Sequence, residues 1–199
     1  MEGITMKRYL NIFMTFILIV TAFSACSKSK DTDTNTISIP DIYNRNIYFG
    51  MTEEDVLAME SDLTFNTDYS RTEVTTEHSA KCIVSNETIQ INNDEATVSY
   101  IFLDNILTQI EYNIPINYPK DQIADAPATQ VYNKQVTDLS NIIGLPTETS
   151  SDEYTTFNSK ISIWDDSILA ISIDVIQTTE TFSDIDITDN VCITMINQK

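Results

Sequence analysis

Glycine is scarce in this chain, which has only Gly3, Gly50 and Gly144 among its 199 residues. A phosphate-binding loop needs several glycines in close succession, so that backbone N–H groups can approach the phosphate oxygens. Three widely separated glycines cannot form such a loop. The sequence therefore excludes nucleotide-binding proteins of the glycine-rich-loop type.

Basic residues are also few. The chain has 11 lysines and arginines against 30 aspartates and glutamates, a formal net charge of −19. A surface of this charge repels the phosphates of nucleic acids and of anionic lipids. We therefore expect no nucleic-acid partner, and any attachment to a membrane must come from something other than surface charge.

Histidine occurs once, as His78, in a polar stretch where a solvated side chain is expected. One histidine cannot supply a histidine-rich zinc site or an H-E-x-x-H helix. A Ser-His-Asp triad would have to use His78, yet the sequence has no G-x-S-x-G motif. The many acidic residues leave carboxylate-based hydrolysis open, although no spacing singles out a pair.

One acidic segment near the end of the chain brings several oxygens close together. Asp184 and Asp186 alternate onto one face of a predicted strand, with Asp189 and Asn190 close behind. A solvated acidic loop before the last strand explains this pattern better than a calcium site. We therefore predict no metal site and no cofactor.

The N-terminus contains the most informative pattern in the sequence. Lys7 and Arg8 precede an apolar run of 15 residues, 9–23, which is followed by Ser24-Ala25-Cys26. A membrane-spanning helix needs about 20 apolar residues, whereas the apolar core of a signal peptide needs about 7–15. These residues resemble the signal peptide and lipobox of bacterial lipoproteins, with Phe23 in place of the usual leucine.

The lipoprotein resemblance implies cleavage before Cys26 and lipidation of this cysteine with acyl chains such as palmitate. The alternatives are an ordinary signal peptide or an uncleaved anchor, with Cys26 incidental. The predicted organisation is a signal peptide over 1–25, a flexible tether over 26–40 and a globular domain over 41–199. Within that domain, 41–118 and 119–199 are candidate subunits.

Two cysteines remain if Cys26 carries lipid. Cys82 and Cys192 both lie in strand-like runs, and an exported protein reaches a compartment in which disulfides persist. A disulfide between them would close a loop of about 110 residues and stabilise the fold by roughly 4–5 kcal/mol. The alternative is two buried free thiols that act as small hydrophobic residues in strands, and the sequence leaves the pairing open.

The globular part predicts helices and antiparallel strands in alternation. Thr52 is a predicted helix N-cap, and a longer helix is predicted from Asp125 as cap and Pro127 as first residue to Gly144. The segments 96–103 and 106–114 predict a hairpin around Asp104-Asn105. Each half is then a helix followed by three or four strands. The predicted class is α+β, with two loosely repeated units whose helices pack on one face of antiparallel sheet.

Two short motifs in the globular part carry a second resemblance. Gly50, Thr52 and Val56 form a G-x-T-x-x-x-V pattern, and Ile143-Gly144-Leu145-Pro146 resembles an L-G-x-P pattern. Both patterns are similar to those of the small lipoprotein family typified by the outer-membrane assembly factor SmpA/OmlA. In tandem, that fold is similar to the beta-lactamase-inhibitor protein. The resemblance implies a helix layer on an antiparallel sheet and assigns no function.

Aromatic residues could mark a binding surface at the start of the domain. Tyr43, Tyr48 and Phe49 lie close together, and Trp164 is the only tryptophan. All four alternate with apolar neighbours in the manner of core residues, so we predict that they are buried.

The sequence predicts an exported protein that its lipid anchors to the outer face of the bacterial cell membrane. We expect a non-enzymatic binding or scaffolding role with a protein or small-molecule partner. The alternative is a hydrolase that acts on envelope material with unidentified carboxylates, and a third is a purely structural role. A concave site with pKa-perturbed carboxylates would favour the hydrolase, whereas a sheet face with exposed aromatics would favour binding.

Overall fold

The computed structural model describes residues 39–74, 78–180 and 186–198, with the backbone alone over 67–74. All of them belong to one compact unit, Asn35–Lys199. The predicted signal peptide, most of the tether, Cys26 and Asp184 lie outside the described residues.

The fold is dominated by one antiparallel sheet of nine strands. Along the main path the strands are ordered β1-β2-β4-β5-β9-β8-β7-β6, and β3 pairs with β4 beside β2. The strands are β1 Phe65–Val74, β2 Ser79–Ser85, β3 Ile89–Ile91, β4 Asp94–Leu103, β5 Ile106–Tyr118, β6 Glu148–Glu153, β7 Phe157–Asp165, β8 Leu169–Thr178 and β9 Ile187–Asn197.

The predicted α+β fold of two repeated helix-plus-strand units is wrong. The described residues contain only two α-helices, α1 (Glu53–Met59) and α2 (Pro127–Ile143), and the strands form a single sheet. The last strand joins the two halves, because β9 pairs with β5 from Ile196 opposite Gln109 to Ile187 opposite Tyr118. Helix α1 buries only Val56, so it is too short to form a layer for a unit of its own.

The local predictions for the first helix and the hairpin are confirmed. Thr52 and Asp55 cap α1 reciprocally, each side chain bonding to the other's backbone N–H. Asp104 and Asn105 both have positive φ, 51° and 66°, as expected for the two-residue turn of a tight hairpin. Both features depend on neighbouring residues only, which explains why the sequence predicts them.

Helix α2 begins at Pro127 and ends before Gly144 as predicted, but its cap differs. The N-cap is Ala126, in the left-handed conformation, while Asp125 is the last residue of a 3₁₀ helix, Lys120–Asp125. Helix α2 packs mainly against β8 and also against β9 and β5. Within the described residues, neither helix is long and apolar enough to span a membrane.

The core lies on the face of the sheet that α2, Val56 of α1 and the segment with Tyr43 and Ile47 cover. Tyr43 and Trp164 are buried as predicted, and Phe49 is partly buried against the core. Tyr48 is 57% exposed, so that prediction is wrong. Its N–H donates to Met51 Sδ at 3.2 Å in a turn, which places it outside any strand alternation.

Candidate functional site: the open face of the sheet

The helices identify which face of the sheet is covered. The Thr129 N–H of α2 donates to Gln177 Oε1 (3.1 Å), and Tyr132 Oη is 2.7 Å from Ser162 Oγ. Helix α1 lies on the same side, because Glu53 pairs with Lys81, whose cross-strand neighbour is the buried Phe102. Since side chains alternate along a strand, the residues between these positions form the opposite face, which we call the open face.

Two rows of paired residues cross the open face. Strand register joins Ser99, Glu111, Thr194, Ser172 and Ile163 in one row. The next row runs through Thr97, Asn113, Cys192, Asp174 and Ile161. The middle of the open face is therefore polar, with one carboxylate in each row.

Glu111 is the first of these carboxylates. Its Oε1 accepts a hydrogen bond of 2.6 Å from Gln109 Nε2, which lies two residues away on the same strand. Burial raises the pKa of Glu111, and the hydrogen bond from Gln109 opposes part of that rise. Gln109 thus favours the ionised form of Glu111.

Asp174 is the second carboxylate. Burial, and after it the negative charge of Glu111, raise the pKa of Asp174 to about 7. Its Oδ2 is shielded from solvent and has no hydrogen-bond partner. A buried polar oxygen without a partner is unusual in folded proteins, and it is one mark of a site that an unseen group completes.

The positive charges with described partners lie elsewhere in the fold. Arg45 pairs with Glu60 at 2.7 Å, and Lys134 with Asp94 at 2.7 Å. Lys81 is paired with buried Phe102, and Lys160 with buried Val175, so both lysines lie on the face that the helices cover. None of these cations neutralises Glu111 or Asp174.

Apolar side chains border the polar centre on one side and toward β7. Ile101 and Ile196 are on one side of the two rows, next to Gln109 in the register. Ile161 and Ile163 continue the rows on β7, and Ser150 and Glu148 end them on β6. All four isoleucines are partly exposed. A few polar groups within an apolar surround are typical of small-molecule binding sites.

The cysteine nearest the carboxylates is a protonated thiol. Cys192 is next to Asp174 in the register, and its Sγ lies 3.7 Å from Thr194 Oγ1. Burial, then the charges of Asp174 and Glu111, raise the pKa of Cys192 well above its usual value. A protonated thiol is a poor nucleophile and a poor metal ligand. The described residues contain no group of three or more His, Cys, Asp or Glu that could hold a metal ion.

The candidate disulfide is not formed in this structure. Cys82 and Cys192 are both free thiols. They lie on β2 and β9, which β4 and β5 separate. Three strand spacings amount to about 14 Å, and a disulfide needs Cα atoms within about 7 Å.

His78 is far from the carboxylates of the open face. Its side chain is 59% exposed, as the sequence predicts, and its Nδ1 lies 2.7 Å from Asp104 Oδ2 at the hairpin turn. Ser79 bonds to Asp104 through its N–H (2.9 Å) and its hydroxyl, so its described contacts are with the carboxylate and not with the imidazole that a triad serine needs.

The acidic segment before β9 differs in part from its prediction. Asp186 is exposed as expected, but Asp189 is buried among polar partners. It accepts a hydrogen bond from the Tyr118 hydroxyl and others from Gln177 and Thr178. Asp189 is two residues from buried Ile187 and from buried Val191 on the same strand, so it shares their face and points toward the core.

Sequence reasoning missed Glu111 and Asp174 as a pair. Each stands between apolar neighbours in its strand, Glu111 between Ile110 and Tyr112 and Asp174 between Ile173 and Val175. This alternation is the usual mark of a solvent-facing residue. Only the insertion of β9 between β5 and β8 brings the two carboxylates together.

Comparison with protein-family models, curated proteins and solved structures found no match to this chain.

Proposed function

We propose that this protein is a lipid-anchored binding protein of the bacterial cell envelope, without enzymatic activity, and that the open face of the sheet holds its ligand. The observation that carries the proposal is the buried Oδ2 of Asp174, which has no partner. A second carboxylate, Glu111, lies two strands away on the same face, and apolar side chains border this polar centre. A ligand with hydrogen-bond donors would complete this site.

The proposed location depends on the N-terminal residues. The short apolar run before Ser24-Ala25-Cys26 supports export and lipidation. Without residues 1–25 the chain has 9 basic and 29 acidic residues, which provide no electrostatic attraction to an anionic membrane. Attachment is therefore assigned to the lipid on Cys26.

Membrane fractionation of Cys26→Ala tests the location. The wild-type protein is expected in the membrane fraction and the variant in the soluble exported fraction. Cys82→Ala is the matched control, because it removes a cysteine from the folded domain. If the Cys26→Ala protein stays fully in the membrane fraction, the lipid anchor is wrong.

Native mass spectrometry tests the binding function. The mature protein is purified from its own envelope, and its mass is compared with that of Asp174→Asn. We expect a small molecule on the wild type that the variant lacks. Asp121→Asn, which makes the same change on the exposed 3₁₀ helix, should retain it. Wild-type protein without any bound molecule, before and after incubation with an envelope extract, would contradict the proposal.

A hydrolase remains the second candidate, and one observation favours it. A carboxyl with a pKa of about 7 can donate a proton at neutral pH, as the general acid of a glycosidase does. Asp174 would be this acid, and Glu111, which accepts the hydrogen bond from Gln109, would be the ionised partner.

Turnover distinguishes the hydrolase from the binding protein. The purified protein is incubated with cell-wall glycan and peptide fragments, and the products are followed by mass spectrometry. If the protein only binds, the fragments are recovered unchanged, and Asp174→Asn changes only how much of them the protein retains. Cleavage by the wild type that Asp174→Asn abolishes and Asp121→Asn preserves would establish the hydrolase instead.

A further inference from the structure

We propose that the open face recognises an organic ammonium ion, an amine on an apolar stem, with Glu111 and Asp174 as its two carboxylate partners. This inference deepens the proposed binding function and depends on it. It assigns a chemical class to the ligand from the charges, the unfilled hydrogen-bonding capacity and the apolar surround of one site.

The two carboxylates flank a single strand. Glu111 is on β5 and Asp174 on β8, with β9 between them, and they occupy adjacent rows of the open face. Two strand spacings sideways and two residues along a strand place their Cα atoms about 12 Å apart. Both side chains project from the same face above Thr194 and Cys192. The two carboxylates therefore place negative charge on both sides of β9, and a cation between them would be attracted by both.

The negative charge of the two carboxylates favours a cationic ligand. Burial raises the cost of ionising both carboxylates, and the charge of Glu111 adds to that cost for Asp174. None of the described ion pairs involves either of them. An ammonium group carries three donors. The acceptors for these donors are Asp174 Oδ2, which has no partner, and the Glu111 oxygen that Gln109 does not use. Because Asp174 Oδ2 is shielded from solvent, binding requires a shift of this side chain or of those that cover it. Binding would then give Asp174 Oδ2 a hydrogen-bond donor and would also reduce the repulsion between Glu111 and Asp174.

The residues around the two carboxylates favour an organic cation over a metal ion. A divalent metal prefers six or more oxygen ligands or a tetrahedral set, and the described residues offer no group of three ionisable ligands. Ile101, Ile161, Ile163 and Ile196 are instead half-buried around the two rows. Such surfaces can pack an alkyl stem and gain free energy from its removal from water.

Three probes of equal length test the inference on the mature full-length protein. Hexylammonium, hexanol and hexanoate have the same stem and differ in the charge of the head group. Isothermal titration calorimetry at neutral pH should show hexylammonium binding at least about tenfold more tightly than hexanol, and hexanoate not binding. Asp174→Asn and Glu111→Gln should each weaken hexylammonium about tenfold and leave hexanol unchanged, because each removes one charge and keeps the shape.

The pH dependence provides a second readout. Among the residues whose side chains are described, the other ionisable groups that face the same side are Cys192 on β9, Cys82 on β2 and Glu95 on β4, with Asp165, Glu148 and Asp152 toward the β7 and β6 edge. Only the ionised form of Asp174 attracts a cation, so hexylammonium should bind more tightly at about pH 8 than at about pH 6. Asp174→Asn should lose most of this dependence, whereas Asp121→Asn should keep it.

The outcomes separate the ligand class from the binding function. Equal affinity for hexylammonium and hexanol would overturn the ammonium assignment and leave a binding face in place. Absence of binding by any probe would also overturn the assignment, and native mass spectrometry would judge the binding function independently. Circular dichroism shows whether Asp174→Asn is folded. If it is not, Glu111→Gln alone is compared with the wild type, and an unchanged affinity of this variant for hexylammonium would contradict the proposal.

Discussion

Glu111 on β5 and Asp174 on β8 lie on the same face of the sheet, in adjacent rows on either side of β9. The charge of Glu111 contributes to the raised pKa of Asp174. The two carboxylates thus form one electrostatic unit, although they belong to different halves of the chain. This unit determines how stability should depend on pH.

Asp174 is expected to make the protein less stable as the pH rises. The fold raises its pKa from 3.8 to about 7, so the folded chain binds this proton more tightly than the unfolded chain. The contribution of Asp174 to the free energy of unfolding is therefore fully present below pH ~4 and is lost as the pH rises to about 7. Between about pH 5 and about pH 8, the wild type should lose about 3 kcal/mol more than Asp174→Asn.

Urea unfolding at these two pH values measures the difference. Asp121→Asn is the control, because it changes an exposed aspartate to the same amide and should retain the wild-type pH dependence. An Asp174→Asn protein with an unchanged pH dependence would mean that Asp174 is not the buried group responsible.

Arg45 is expected to contribute strongly to stability through a buried partner. Glu60 is only 2% exposed and accepts hydrogen bonds from Arg45 at 2.7 and 2.9 Å and another from the Tyr100 hydroxyl. Arg45→Ala leaves this carboxylate buried without a cation, at a cost of about 3–5 kcal/mol. Glu60→Gln in the same chain should recover part of the loss.

The matched control for Arg45 is Lys81→Ala. Lys81 and Glu53 form a pair at 2.6 Å that is more exposed, with 38% and 22% of the side chains accessible. Its removal should cost at most about 1 kcal/mol. Comparable losses in both variants, by thermal or urea unfolding, would show that burial of Glu60 is not the deciding factor.

Two backbone positions around α2 should respond in opposite directions. Gly144 has φ 93° and ψ −179°, a region that essentially only glycine occupies, and nothing lies near its missing Cβ. Gly144→Ala should destabilise by about 1–3 kcal/mol through backbone strain alone. Ala126 has φ 47°, so Ala126→Gly should relieve strain and stabilise by up to about 1 kcal/mol. Midpoints of urea unfolding that shift in the same direction for both would contradict this explanation.

Cys82 and Cys192 should remain free and unreactive thiols in the folded protein. Burial raises the pKa of Cys82 to about 12 and that of Cys192 well above its usual value, so very little thiolate is present at neutral pH. Iodoacetamide without a reductant should label neither residue in the native protein and both after denaturation. If neither is labelled after denaturation until a reductant is added, the two residues form a disulfide.

The sequence predicted those features that depend on a few neighbouring residues. The Asp104-Asn105 turn requires two residues that tolerate positive φ, and Thr52 needs only Asp55 three residues ahead to cap α1. Alternation placed Tyr43 and Trp164 in the core. It failed at Tyr48, which lies in a turn, and at Asp189, a carboxylate predicted to be solvated that has buried hydrogen-bond partners instead.

The sequence by itself determined the charge of the molecule and the local helices and turns, since these follow from composition and short-range contacts. Only the tertiary structure decided that the strands form one sheet, because pairing of β5 with β9 joins segments far apart in the chain. The same pairing brings Glu111 and Asp174 onto one face and separates Cys82 from Cys192. The pairing order of distant strands sets these distances, and alternation within a strand does not encode that order.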